Sequence, residues 1–174
     1  MRRVSLFLCV FALGLALPLA AETATLTVTA TVASSLSVTL NTGNSTLSGS
    51  GTDTATLNAG TLQRYGGSSS FNGFTRSTGA GTYTYSSPGA FSVQVDKANS
   101  SSANYSLTAA LGSSAATGTV WTLSGNTLST GTTALTTTGT YGAPLPLDLS
   151  IQVSNTATAA GSIGNTISFT ATAN

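Results

Sequence analysis

Apolar and polar residues alternate along much of this chain with a period of two. The longest such run extends from Ala24 to Leu40, where eight of the nine even-numbered positions are apolar and most odd-numbered positions are Thr or Ser. Successive side chains of a β-strand point to opposite faces, so this pattern predicts strand rather than helix. The series breaks at Ser34, which predicts a bulge or a crossing between sheets that separates two strands, 24–32 and 36–40.

Shorter alternating segments follow at intervals of about ten residues, separated by turn signals such as Asn72-Gly73 and Ser124-Gly125-Asn126. No segment has the 3.6-residue period of an amphipathic helix. About eight to nine short strands with turns between them predict an all-β fold, an immunoglobulin-like β-sandwich preceded by a signal peptide. The segments after the first run are 54–62, 82–87, 90–95, 104–111, 119–123, 145–153 and 165–174.

The N-terminus has the organisation of a secretory leader. Arg2 and Arg3 form a positive start, an apolar stretch follows, and cleavage is expected after Ala21. Residues 1–21 are therefore predicted to be a Sec-type signal peptide, and residues 22–174 a single β-sandwich domain. The predicted location is extracellular or at the cell surface.

The side chains that carry most enzyme chemistry are scarce. The chain has no histidine, and its only cysteine, Cys9, lies in the leader. An imidazole base, a Ser-His-Asp triad and a zinc site are therefore not expected. Without Arg2 and Arg3, three basic and four acidic residues remain, and the net charge of −1 lacks the basic footprint of nucleic-acid binding. The sequence predicts a non-enzymatic protein with no catalytic residues, no metal, no cofactor and no nucleic-acid partner.

Tyrosines support an alternative function, a monomeric secreted carbohydrate-binding module. Tyr83 and Tyr85 occupy alternate positions of one predicted strand and so share a face, where their rings are the candidate glycan contacts. The sequence leaves open whether Asn44, Asn99 and Asn104, each in an Asn-x-Ser/Thr sequon, are glycosylated.

Charge is almost absent from the first and last predicted strands, and this bears on assembly. Natural sheets protect their edges with charged side chains, Pro or bulges. An extended segment that adds to a neighbouring sheet uses main-chain hydrogen bonds for affinity and alternate side chains for register. Residues 22–32 have this form, because Leu26, Val28, Ala30 and Val32 share one face and Thr occupies the other. These four residues are the predicted donor-strand positions.

The C-terminal stretch LPLDLSIQVSNTATAAGSIGNTISFTATAN resembles the last strands of secreted bacterial spore-coat-U-like and chaperone–usher pilin-like surface domains. The matching positions are 145–153, Ala160-Gly161 and 165–172. The cysteine pair and the near-terminal Tyr of such pilins are missing here. The resemblance implies an immunoglobulin fold and partners that are copies of the same chain or related surface subunits, with a secretion chaperone as a further candidate.

These observations predict a structural role, as a subunit of a surface filament, coat or matrix that assembles by β-strand donation or edge pairing. The first strand is the open point. Its pattern specifies a face and a register, but it does not specify whether residues 24–32 join their own sheet or that of a neighbour.

Overall fold

A computed structural model describes residues 28–65, 70–156 and 162–174. The predicted signal peptide and the donor position Leu26 lie outside the described residues. Among the described residues there is no helix, and so none that is long and apolar enough to cross a membrane.

The chain divides into two compact units, Met1–Thr31 and Val32–Asn174. The second unit consists of antiparallel β-strands, so the all-β prediction is confirmed. Eight of its described strands have five or more residues, and the other four have two. The strands are β1 (Ser35–Thr42), β2 (Leu47–Ser48), β3 (Thr56–Leu57), β4 (Ser70–Phe71), β5 (Phe74–Thr78), β6 (Thr82–Ala98), β7 (Tyr105–Leu111), β8 (Thr119–Leu123), β9 (Asn126–Thr127), β10 (Thr133–Gly139), β11 (Leu145–Ser154) and β12 (Ile167–Ala173).

Two sheets enclose the core in a sandwich-like arrangement. The larger sheet has the order β4-β5-β6-β11-β8-β9, and β1 also pairs with β6. The smaller sheet has the order β10-β7-β12, and β2 and β3 form a short pair of their own. β6 has two neighbours on one side, since β5 pairs with its N-terminal half and β1 with its C-terminal half.

The core follows the predicted alternation of side chains. In β7 every second residue is buried, beginning with Tyr105, and β11 alternates in the same way from Leu147 to Val153. One continuous apolar cluster includes the buried residues of β6, β7, β8 and β11. Full burial of a Val or Leu side chain contributes about 1.5–3 kcal/mol, so these rows are the main source of stability.

One long strand replaces two predicted ones. Segments 82–87 and 90–95 form a single strand, β6, because Pro88-Gly89 makes a bulge rather than a turn. The register with β11 shifts opposite this point, Gly89 has a φ of 54°, and its N–H donates to a carboxylate oxygen of Asp148 at 2.6 Å. A bulge is a position where a strand tolerates a proline, which has no N–H to donate. The predicted strand 54–62 is longer than the observed one, since only Thr56–Leu57 is strand.

The two predicted turns are confirmed, the second one residue shorter than predicted because Asn126 belongs to β9. Phe71 pairs with Phe74 across Asn72-Gly73, and Leu123 pairs with Asn126 across Ser124-Gly125. Both turn residues have positive φ in each case, which is the geometry that matches the twist of a two-residue hairpin.

The predicted division of the opening run is confirmed on one side only. Residues 36–40 lie within β1, where Val38 pairs with Val95 and faces the core. The described part of the predicted strand 24–32 is not a strand, since residues 28–34 have no regular structure. The break at Ser34 therefore marks the start of the sheet rather than a bulge between two strands.

Candidate functional site

A large cleft opens between the larger sheet and the elements that cover it, with a volume of about 1750 Å³. We refer to it as the cleft. Its floor is the inner face of the larger sheet, and its two sides are residues 55–65 and the start of β12. Its principal lining side chains are Leu57, Leu62, Arg64, Tyr83, Trp121, Ile151, Val153, Ile167 and Phe169.

Strand register explains why distant residues meet on the floor. Trp121 and Tyr85 both pair with Ile151 from opposite sides, and Tyr83 pairs with Val153. Residues that are directly opposite in an antiparallel pair point to the same face of the sheet. The alternation within each strand therefore places these apolar side chains in one layer beneath the cleft.

β12 borders the cleft and has one free edge. Among the described strands it pairs with β7 alone. The Thr166 carbonyl accepts from the Gly112 N–H at 2.8 Å, and the Asn174 N–H donates to the Asn104 carbonyl at 3.0 Å. The even-numbered residues of this segment therefore direct their N–H and C=O groups towards β7. In an antiparallel strand the backbone groups of successive residues alternate between the two edges. The free edge consequently presents the N–H and C=O groups of Ile167, Phe169, Ala171 and Ala173.

The side chains of this edge strand are incompletely covered. Ile167, Phe169 and Ala171 pair with fully buried residues of β7 and face the core, yet they are only half-buried. Phe169 contacts Phe91 edge to face, with ring centroids 6.0 Å apart. β12 therefore combines an unpaired backbone edge with an apolar face that its own domain leaves partly open.

Trp121 contributes an unsatisfied polar atom to the cleft. Its side chain is 7% exposed, and its indole Nε1 is buried without a hydrogen-bond partner. An unpaired buried donor costs about 1–3 kcal/mol, so this enclosed N–H is a local cost to the stability of the fold.

Arg64 also has unused donors. Its Nη2 donates to the Gly79 carbonyl at 3.3 Å, and its guanidinium lies 5.0 Å from the ring centroid of Tyr65. Nε and Nη1 of Arg64 are buried and have no hydrogen-bond partner. Among the described residues that line the cleft, Arg64 is the only charged one.

The two candidate glycan-contact tyrosines have different environments. Their rings meet edge to face with centroids 6.5 Å apart. Tyr83 lies at the cleft, but Tyr85 is 1% exposed and its hydroxyl donates to the Gln63 carbonyl at 3.4 Å. Tyr85 is a core residue because it pairs with Ile151 in the middle of the larger sheet and points to the inner face of that sheet. Its ring is covered in this structure, whereas Tyr83 lies at the cleft, and glycan contact by these two tyrosines stays a prediction.

The predicted donor positions lie outside every described strand. Val28 and Val32 are 80% and 74% exposed, and Ala30 is exposed as well. Leu26 lies outside the described residues. The apolar face of this segment is thus without a partner from Val28 to Val32.

The acidic residues are dispersed. Asp148 holds the bulge of β6, Asp96 accepts from Gln94 and Asp53 accepts from the Thr54 hydroxyl. No group of three or more His, Cys, Asp or Glu side chains occurs in the part of the chain that the structure describes. Each of these acids has a local structural partner.

Sequence reasoning did not single out Arg64, and it placed Trp121 only among the aromatic residues that could line a carbohydrate platform. Arg64 lies in a loop-like stretch with no periodic signal, and Trp121 lies on a strand where packing is the ordinary role of an aromatic residue. The alternation in 119–123 indicates that Trp121 shares a face with Leu123, but it contains no information on what covers that face.

Comparison with protein-family models and with curated proteins finds no match.

Proposed function

We propose that this chain is a non-enzymatic extracellular structural protein, a subunit of a surface filament, coat or matrix. It is secreted by its leader, has an immunoglobulin-like sandwich and assembles when residues 22–32 of one copy pair with the free edge of β12 in the next. The observation that supports this most directly is the edge itself. A strand with unpaired backbone groups and a half-buried apolar face is the type of site at which β-augmentation occurs.

The dimensions and pattern of the cleft agree with an extended occupant. At about 1750 Å³ it exceeds the roughly 300–1,000 Å³ that is typical of sites for small molecules. Residues 22–32 offer apolar side chains of moderate size at every second position, and Val28 and Val32 are exposed in this structure. Burial of this face against Ile167 and Phe169 covers two incomplete apolar surfaces at once.

Edge protection in the described strands is also weak. β12 carries no charged residue and no proline, which are the usual devices against pairing with another chain. The net charge of −1 predicted for the mature chain adds little long-range repulsion between copies.

Proline substitution tests the free edge selectively. Ala171→Pro removes an N–H that points away from β7, so the domain should fold while assembly is lost. Thr170→Pro removes an N–H that points towards β7, so it should lower the melting temperature as well. The two variants and the wild type would be compared by circular dichroism, analytical ultracentrifugation and negative-stain imaging.

Two results would count against the structural role. A wild-type protein that stays monomeric at high concentration would exclude self-assembly. An Ala171→Pro variant that assembles as well as the wild type would show that the edge of β12 is not the joint.

The second candidate function, glycan binding, is favoured by one specific observation. Trp121 and Tyr83 both line the cleft, and aromatic rings are the surfaces on which sugars stack. Binding of the monomeric protein to a glycan array, lost on Tyr83→Ala but kept in Ala171→Pro, would support this function over assembly.

A further inference from the structure

We propose that Asn72 is a deamidation site that the fold protects, and that its conversion releases one side of the cleft. That side, residues 55–62, is called the cleft wall below. Such a modification goes beyond the proposed function, because it changes how long the cleft keeps its shape whatever occupies it.

Asn72 is the only asparagine of the chain that precedes a glycine. An asparagine side chain can close a succinimide ring with the nitrogen of the next residue, and glycine has no Cβ to hinder the approach. The pair forms the turn between β4 and β5, where Asn72 has a φ of 45° and Gly73 a φ of 80°. Asn-Gly is favoured in this kind of turn, so the reactive dipeptide is built into the hairpin.

The side chain of Asn72 joins the hairpin to two other segments. Its Oδ1 accepts from the Thr46 N–H at 2.7 Å, and its Nδ2 donates to the carbonyls of Thr46 at 3.2 Å and Asn58 at 2.9 Å. The backbone of Asn44 lies against the same turn, since a Cβ at Gly73 would be 2.3 Å from the Asn44 carbonyl oxygen. Both polar atoms of the amide are therefore held in the folded protein.

The same contacts hold the cleft wall in place. Asn58 belongs to the wall, and the ring of Phe71 packs on it as well, because a Cβ at Gly60 would lie 2.7 Å from the Cδ1 of Phe71. The strand within the wall, β3, has two residues and pairs with β2. A ladder this short gives little stability of its own, so the wall depends on its contacts with the hairpin.

The deamidation itself needs water and no other reagent. The main-chain nitrogen of Gly73 attacks Cγ of Asn72 to form a C–N bond, its proton passes to Nδ2, and Nδ2 leaves as ammonia from a succinimide. Water then cleaves the Cγ–N bond to give aspartate, or the bond between the main-chain carbonyl carbon and N to give isoaspartate. Ring closure makes Cγ tetrahedral and removes Nδ2, so the three hydrogen bonds of the amide oppose it until the wall opens.

Neither product can hold the wall as asparagine does. A carboxylate has no N–H, so the contacts with the Thr46 and Asn58 carbonyls are lost and a negative charge faces their oxygens. Isoaspartate adds a carbon to the main chain of a two-residue turn, whose fit to the flanking strands is then lost. A transient opening of the wall thus becomes permanent.

Mass spectrometry measures the reaction in the mature protein. After unfolding, trypsin cleaves behind Arg64 and Arg76, so residues 65–76 form one peptide that contains Asn72. Replacement of –NH2 by –OH raises the mass of this peptide. At mildly alkaline pH the folded protein should lose the amide about tenfold or more slowly than the free synthetic peptide 65–76. Equal rates would overturn the protection.

Truncation of the wall tests whether its local opening controls the rate. Leu57→Ala removes a half-buried apolar side chain from the wall and should speed the loss of the amide about threefold or more, because the open form becomes more populated. The matched control is Leu135→Ala, which truncates a half-buried residue of β10 outside the cleft and should leave the rate unchanged. Equal acceleration by both variants would show that global unfolding, and not the wall, sets the rate.

Asn72→Asp prepares one product directly and tests the release. Backbone hydrogen exchange in residues 46–60 should be faster than in the wild type, while exchange in β7 stays the same. Asn126→Asp, at the turn between β8 and β9, is the matched control and should not change exchange in the wall. If the wall of Asn72→Asp exchanges like that of the wild type, the release is refuted. None of these measurements depends on whether the protein assembles.

Discussion

The two ends of the core are built on the same strands but are covered differently. At the closed end, the connection between β10 and β11 covers the C-terminal half of β6. In this connection the Gly142 N–H donates to the Val95 carbonyl at 2.9 Å, and the ring of Tyr141 lies tilted against that of Tyr105 in β7, with centroids 5.3 Å apart. At the cleft end, Tyr83 in the N-terminal half of β6 is half-buried, and the indole Nε1 of Trp121 in β8 is buried without a hydrogen-bond partner.

The difference lies in the covering elements rather than in the floor. β7 is paired on both edges, by β10 and β12, so the residues beneath and within it are fully buried. β12 is paired on one edge, and residues 55–65 opposite it form almost no strand. The apolar floor with an incomplete cover is the surface to which we assign the proposed pairing, whereas the completed end has the more fully buried core.

The largest expected effect is on the free energy of unfolding, when an apolar side chain is truncated at either end of the core. Leu107→Ala at the closed end removes a side chain with 0% exposure and should lower the free energy of unfolding by about 2–5 kcal/mol. Ile167→Ala at the half-buried cleft end should cost about 1 kcal/mol, because less apolar surface is lost, yet it should weaken assembly. Urea unfolding and ultracentrifugation of both variants measure the two effects, and equal losses of stability would contradict the distinction.

The next effect concerns packing at the closed end. A Cβ at Gly139 would lie 2.3 Å from the Cζ of Tyr105, and that ring is 1% exposed against Tyr141. Gly139→Ala should therefore lower the free energy of unfolding by about 1–3 kcal/mol. Gly131→Ala is the matched control, because its Cβ would meet only the Ser129 hydroxyl at 3.5 Å. If both variants unfold at the same urea concentration, Gly139 is not packed tightly against the ring of Tyr105.

The smallest expected effect is a pH dependence of the free energy of unfolding, which originates from a tyrosine at the closed end. Burial, with a lesser contribution from Tyr141, raises the pKa of Tyr105 above its ordinary value of 10.0. The unfolded chain then loses this proton more readily than the folded one, so stability is complete below about pH 10 and falls as the pH rises beyond it. The control is Tyr105→Phe, which should flatten the alkaline part of the stability curve, and a wild-type curve that is already flat above pH 10 would refute the assignment.

The sequence predicted the local structure well where the pattern was long. The alternation in 104–111 and 145–153 corresponds to β7 and β11, and both positive-φ turns lie at the dipeptides that favour them. The sequence-based prediction of a turn at Pro88-Gly89 was wrong. A bulge and a turn have the same composition, and they differ only in whether the two flanking segments pair with the same neighbouring strand. Here β11 pairs with both segments and keeps them in line.

The candidate site was predicted only in part, for a related reason. The alternating apolar face of the proposed donor segment, residues 22–32, is a property of consecutive residues, so the sequence contains it. The cleft proposed as its acceptor combines Arg64, Trp121 and Phe169, which come from a loop, β8 and β12. Their proximity depends on pairing between strands that are far apart in sequence, and no local pattern encodes it.

The sequence by itself determined which side chains share a face, where the chain turns and how little charge it carries, because these follow from residue type and spacing. The tertiary structure decided the rest. It joined two predicted strands into β6, buried Tyr85, left one edge of β12 unpaired and opened the cleft beside it. Strand order and burial arise from the competition among all segments for a limited core, so they appear only when the whole chain is folded.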